Sequence, residues 1–203
     1  YFPLSLKLDF AADEDEEAGR DMEESEWAVK YLEEAGYDMF NCDNGTYDAW
    51  YWAHPPIYMP ENCNLDYVAH IKNYTSAPVV CAGRMDPQTA AKAVEENQID
   101  GAGFARQFLA DPEWLTKLMD NRPEDIRPCI LCHNGCFNMA HYKGTANDQD
   151  LSDSLHLSRC AVNAETMQWD KHYIKETKEP KAVAIVGGGI GGMEAARGLK
   201  LRG

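Results

Sequence analysis

"APVVCAGR" (77–84) and "IDGAGFAR" (99–106) each run from an apolar segment of strand length into small residues and an arginine. Asp86-Pro87 follows the first and Asp111-Pro112 the second, pairing an N-cap oxygen with a residue whose φ suits the first helical position. The sequence therefore predicts strand then helix, twice. Upstream, "LSLKLDF" (4–10) and "YDMFNC" (37–42) read as earlier strands. Trp27, Ala28, Tyr31, Leu32 and Ala35 follow helical spacing, closed by Gly36 where a left-handed residue belongs, and "LDYVAHIKNY" (65–74) is another short helix. Four strand–helix units imply a parallel sheet. A doubly wound sheet and half of a (βα)8 barrel both satisfy that pattern. The ends of the last two strands separate them. A barrel builds its phosphate site after strands seven and eight. There small residues admit backbone N–H groups to an anion, and a guanidinium forks onto its oxygens. Gly83, Arg84, Ala105 and Arg106 offer that chemistry. Either arginine alone reads as a surface ion-pair partner; the matched pair favours an anion.

The 203 residues are 44% hydrophobic and 26% charged, the balance of a soluble globular enzyme, and a cytoplasmic location is expected. No apolar run approaches the roughly 20 residues of a bilayer span, and the N-terminus lacks the basic region of a signal peptide. A net charge of −15 disfavours nucleic acid as a partner. Part of that charge is local: "DEDEEAGRDMEESE" (13–26) carries nine carboxylates against one Arg. It reads as a solvated loop and helix start, with cation binding as the alternative. The chain opens without Met on a strand-like stretch and stops in a helix, as a fragment would. Half a barrel exposes strand edges, so such a fragment is not expected to work alone.

Seven cysteines in a non-secreted chain favour metal ligation or buried thiols over disulfides. Cys129, Cys132 and Cys136 in "CILCHNGC" can turn toward one centre, and Cys160 in "SRCAVN" completes four. Four thiolates suit a [4Fe–4S] cluster or tetrahedral zinc. Three clustered ligands with one remote favour the cluster; a zinc ribbon would show a second CxxC. Unliganded thiols are the remaining option, and Cys42, Cys63 and Cys81 read as buried or partly buried. After a polar stretch and the linker "KETKEPK" (175–181), "VAIVGGGIGGMEAARG" sets Gly187, Gly189 and Gly192 between a strand and a helix start. That is the order that admits a dinucleotide pyrophosphate. The loop "DNGTYDAWYWAHPP" (43–56) follows the second strand and carries Tyr47 and His54. These can hydrogen-bond a substrate carbonyl or deliver a proton, or simply pack over the barrel mouth.

"CILCHNGC…CAVN", lying between "GFARQFLADPEWLTK" and a dinucleotide fingerprint, resembles the iron–sulfur flavoenzymes of the Old Yellow Enzyme class. These include 2,4-dienoyl-CoA reductase, 2-enoate reductases, trimethylamine dehydrogenase and bile-acid and steroid enone reductases. "DAWYWAHPP" and "VGGGIGGMEAAR" are most similar to the enoate and bile-acid branch. The resemblance implies an α/β fold in three parts. Residues 1–125 would form the C-terminal half of an FMN-binding TIM barrel, strands five to eight. Residues 126–180 would hold the [4Fe–4S] segment and linker, and 181–203 the start of a Rossmann-like FAD/NAD(P)-binding domain. It implies that electrons pass from NAD(P)H to FAD, the cluster, FMN and then an activated C=C bond of a small unsaturated carbonyl compound. It places the cluster on Cys129, Cys132, Cys136 and Cys160, the FMN phosphate on Gly83, Arg84, Ala105 and Arg106, and the FAD pyrophosphate on Gly187, Gly189 and Gly192. Lys7 stands where the family carries an Arg near the flavin ring. Two further departures are Ala105, where the family often has Gly, and the long spacer from Cys136 to Cys160. That spacer reads as an inserted loop, which chain entropy tolerates. The full-length protein is expected to be a homo-oligomer. The alternatives are an amine dehydrogenase of the same architecture and a non-catalytic, zinc-stapled nucleotide-binding module.

Overall fold

Four strands, β1 (Phe2–Leu4), β2 (Phe40–Asn44), β3 (Val79–Ala82) and β4 (Gly101–Gly103), lie side by side in sequence order, every pair parallel. The computed structural model describes residues 20–45, 49–137, 158–168 and 174–203, and the backbone of 2–4. A doubly wound sheet reverses its strand order at a switch point; this sheet advances by one strand each time, as a barrel wall does. In register, Cys42 stands beside Cys81, which stands beside Ala102.

Helices follow the strands: α1 (Met22–Glu34), α2 (Trp50–Ala53), α3 (Leu65–Lys72), α4 (Pro87–Glu95), α5 (Arg106–Ala110) and α6 (Trp114–Met119). Asp21 caps α1 by accepting from Glu24 N–H, and the Glu24 carboxylate reaches back to Asp21 N–H, a capping box. Asp86 caps α4 by accepting from Thr89 N–H at 2.8 Å, with Pro87 in the first turn, as its sequence predicts. Gly36, at φ 98°, ends α1 in a Schellman turn: Tyr37 N–H reaches the Leu32 carbonyl and Gly36 N–H that of Glu33. Asn97 and Asn121 end α4 and α6 by the same pair of bonds.

The core lies between the sheet and α1, α3 and α4. Val29, Phe40, Cys42, Val68, Ile71, Val79, Cys81 and Ile99 are buried there, each large apolar side chain contributing about 1.5–3 kcal/mol. On β3 alternate residues Val79 and Cys81 enter this core, so Val80 and Ala82 face the other side. Burial pushes the Cys42 and Cys81 thiols up to about 12, so both stay protonated.

Two readings change. Asp111-Pro112 does not start a helix as Asp86-Pro87 does: α6 begins at Trp114 with Glu113 in the cap position, and α5 intervenes before it. The Asp111 carboxylate accepts from Glu113 N–H at 3.1 Å, one residue ahead of the helix, and also binds Lys117 Nζ and Arg127 N–H. The apolar stretch 181–187 is not a strand, since among the described residues it has no neighbour to pair with. Of the strand expected at 4–10, Leu4 lies in β1 and the rest lies outside the described residues.

The chain divides into two units, Tyr1–His133 and Asn134–Gly203. The second contains α7 (Ile190–Arg202), entered through Gly187 at φ 118°. A Cβ on Gly192 would overlap the Gly187 carbonyl oxygen, so helix and turn approach this closely only with glycine there. No helix among the described residues is long and apolar enough to cross a membrane.

Candidate functional site

The C-terminal ends of β2, β3 and β4 open on one face, where parallel barrels do their chemistry. After β3 the chain passes through Gly83 at φ 117° and Arg84 at φ 47°. Only glycine suits the first position. Its φ is left-handed, and a Cβ would overlap the buried Asn64 carboxamide. Asn64 Nδ2 donates to the Ala82 carbonyl at 2.8 Å, and its Oδ1 accepts from Asn44 Nδ2 at 3.1 Å. Asn62 accepts from Asp86 N–H, and its own N–H donates to the Arg84 carbonyl. The segment 62–64 thus clamps the turn from both sides.

Arg84 and Arg106 converge on the backbone of 55–59. Arg84 Nη1 donates to the Ile57 carbonyl at 2.9 Å and to that of Met59, and its Nη2 lies 3.6 Å from the Glu61 carboxylate. Arg106 Nη1 donates to the Pro55 carbonyl at 2.8 Å and to His133 Nε2. Guanidinium can only donate, so that nitrogen accepts and the His133 ring is neutral, its proton on Nδ1. Burial, then Arg106, then His54 push this imidazole down to about 4. A cavity of about 280 Å³ is lined by Arg84, Gly103, Ala105, Arg106, Trp114 and Cys129. All four residues expected on a flavin phosphate lie at these two strand ends, three of them on the cavity wall. Two guanidinium groups there suit a phosphate dianion.

His54 is exposed, follows α2 and stacks on Trp50 with ring centroids 5.1 Å apart. Lys7 and Tyr47 lie outside the described residues.

The cysteine loop is shaped for thiolates. Leu131 N–H donates to Cys129 Sγ at 3.4 Å, and Leu131 and His133 are left-handed at φ 55° and 54°. That turn is a knuckle whose amide N–H reaches the sulfur, a bond that would favour a thiolate there. In the second unit Gly135 is buried against Arg159 and Cys160, its carbonyl accepting from Arg159 N–H at 2.6 Å. The backbones carrying Cys136 and Cys160 therefore touch. None of the four cysteines forms a disulfide and none is buried. Among the described residues no three His, Cys, Asp or Glu side chains gather closely enough to hold a metal ion. Cys129 and Cys132 in the first unit, and Cys136 and Cys160 in the second, are each a pair of donors of the type an iron–sulfur cluster takes.

Three residues here escape a local reading of the sequence. Asn64 stands before α3 like a cap but makes no capping bond, turning instead to Ala82 and Asn44. Gln107 and Asp111 bind the backbone of 127–129, about 20 residues on. No periodicity announces such bonds.

Comparison with known proteins places this geometry. The model of the NADH:flavin oxidoreductase / NADH oxidase family matches residues 6–125. Cinnamate reductase of Clostridium sporogenes is 37% identical over 215 aligned residues, covering all of this chain and 30% of that protein. A 2-naphthoyl-CoA reductase solved with 2-naphthoyl-CoA superimposes with a TM-score of 0.73 at 31% identity, over 93% of this chain and 27% of that one. Histamine dehydrogenase from Rhizobium sp. 4-9 gives 0.72 at 28% identity, over 92% and 26%. The chain thus spans less than a third of the length of these proteins.

Proposed function

The chain belongs to the NADH:flavin oxidoreductase / NADH oxidase family, and on that premise we propose that it is part of an NAD(P)H-dependent flavin and iron–sulfur reductase of activated C=C bonds. Its substrates would be α,β-unsaturated carbonyl compounds, such as enoates, enoyl-CoA or dienoyl-CoA esters, or steroid and bile-acid enones. The observation that carries this reading is the pairing of Arg84 and Arg106 at adjacent strand ends, with Cys129 on the wall of the same cavity. Similarity along the whole chain to a cinnamate reductase supports the C=C substrate.

Arg84 and Arg106 would neutralise the FMN phosphate, with Gly83 and Ala105 admitting it to the backbone. Cys129, Cys132, Cys136 and Cys160 would ligate the [4Fe–4S] cluster, and Gly187, Gly189 and Gly192 would cradle the FAD pyrophosphate. FMN held there would supply hydride chemistry toward the substrate β-carbon, and the cluster and FAD would supply single-electron chemistry drawn from NAD(P)H. His54, at the mouth of the strand ends, would give the balancing proton to the α-carbon or polarise the carbonyl, with Tyr47 beside it in sequence. Lys7 would place positive charge near the reduced flavin ring. The three-part division at 125 and 180, cytoplasmic location and homo-oligomeric assembly complete the reading.

Likeness to histamine dehydrogenase favours a second reading, amine oxidation on the same scaffold. The test is made on the full-length protein, purified and assayed without oxygen. Iron, acid-labile sulfide and flavin should be present, and NADH should be consumed with cinnamate-type enoates but not with amines. Amine-dependent flavin reduction without enoate turnover would select the second reading. A sample free of iron and sulfide would overturn both. Cys132→Ala should abolish NADH-driven turnover while chemically reduced flavin still reduces the enone.

A further inference from the structure

Two neighbouring residues of α5 grip the cysteine loop on either side of its knuckle. Gln107 Oε1 accepts from Cys129 N–H at 2.9 Å, and its Nε2 donates to the Arg127 carbonyl at 3.0 Å. A parallel strand would present the same donor and acceptor to residues two apart. Here one side chain supplies both and fixes the backbone on either side of Pro128. Asp111 adds a third bond, accepting from Arg127 N–H at 2.9 Å. Burial opposes the Asp111 charge, yet Lys117 and the Arg127 and Glu113 N–H groups together hold its carboxyl below the usual range. Beyond the knuckle, Arg106 donates to His133 Nε2. The segment from Cys129 to Cys132 is thus tied at both ends to one five-residue helix, whose first residue is the proposed phosphate arginine.

We propose that Gln107 is a positioning residue: it sets the Cys129 thiol at a fixed place relative to the flavin phosphate site, and so governs electron transfer between cluster and flavin. This rests on the flavin and iron–sulfur reading above. Each transfer oxidises the cluster by one electron and reduces the flavin by one. Two transfers, drawn from NAD(P)H, together with one proton taken up from solvent by the flavin, make up the hydride delivered to substrate. Because transfer falls exponentially with separation, a ligand loop freed to shift slows it without touching either cofactor's chemistry.

The test compares full-length, anaerobically prepared wild type with Gln107→Met, which keeps length but loses both bonds, and Gln107→Glu, which keeps only the acceptor for Cys129 N–H. Gln107→Met should retain iron, sulfide and flavin, show an altered EPR signal from the dithionite-reduced cluster, and slow NADH-driven FMN reduction about tenfold or more. Enone reduction by chemically reduced flavin should stay at the wild-type rate. Gln107→Glu should fall between the two. Should Gln107→Met lose iron, Gln107→Glu decides: a slowed transfer at full iron content supports the assignment. Wild-type transfer and EPR in whichever variant keeps its iron would overturn it while leaving the reductase reading intact. An iron-free wild type would overturn both.

Discussion

After β3 the chain turns through Gly83 and Arg84, both left-handed, whereas after β4 it passes through Ala105 at φ −107° and enters α5 directly at Arg106. The two turns end in the same arginine and are built differently. The first holds a non-glycine residue in a sparsely populated region, a strain of order 1–3 kcal/mol. Asn62 and Asn64 restrain it with side-chain bonds to Asp86 N–H and the Ala82 carbonyl. The second is relaxed, and its residues reach outward to Pro55, His133 and the 127–129 backbone. One turn is a clamped socket; the other joins the barrel wall to the cysteine loop. Ala105 needs no compensation, because nothing there demands a positive φ.

Gly83→Ala should break the first turn, losing about 3 kcal/mol or more from backbone strain and overlap with Asn64. A denaturation midpoint for the full-length protein reads this directly, and a loss under about 1 kcal/mol would remove the distinction between the turns. Next in size, Arg84→Gln and Arg106→Gln should each weaken FMN binding about 10- to 100-fold, one charge-assisted contact apiece. Riboflavin, which lacks the phosphate, should bind both variants as it binds wild type; equal losses for the two ligands would move the arginines off the phosphate. Asn64→Ala strands the Ala82 carbonyl and the Asn44 amide, for a loss of about 2 kcal/mol on the same midpoint. Ala105→Gly should change stability by less than about 1 kcal/mol. If it matched Gly83→Ala, the second turn would be as constrained as the first.

Most of the barrel wall was legible because its signals are local. Asp86-Pro87 and Gly36 punctuate helices by rules that act within four residues, and apolar runs of strand length mark β2 and β3. Misreadings arose where distant partners outweighed a local rule. Asp111-Pro112 copies the Asp86-Pro87 signal and one carboxylate oxygen still accepts from Glu113 N–H, but Lys117 and Arg127 N–H take the other and the helix starts only at Trp114. "AVAIV" has a strand's composition, yet a strand exists only beside another. The site divides in the same way. Arginines at strand ends and clustered cysteines can be read from residue type and spacing. The Asn64 relay and the Gln107 grip depend on which backbone groups tertiary folding brings near them. Asn97 and Asn121 end two helices as Gly36 ends α1, a role that asparagine, unlike glycine, does not announce by residue type alone.

The chain of amides from Ala82 through Asn64 to Asn44 runs in one direction only. A peptide carbonyl cannot give a proton, so Asn64 must turn its nitrogen to Ala82 and its oxygen to Asn44, which in turn must offer nitrogen. Asparagine and aspartate are nearly superimposable, yet an ionised aspartate at 64 would set a carboxylate oxygen against the Ala82 oxygen, lone pair to lone pair. A single main-chain oxygen thereby dictates which of two isosteric side chains the support of the Gly83 turn accepts. Slow hydrolytic ageing of the Asn64 amide would undo that support without altering its shape.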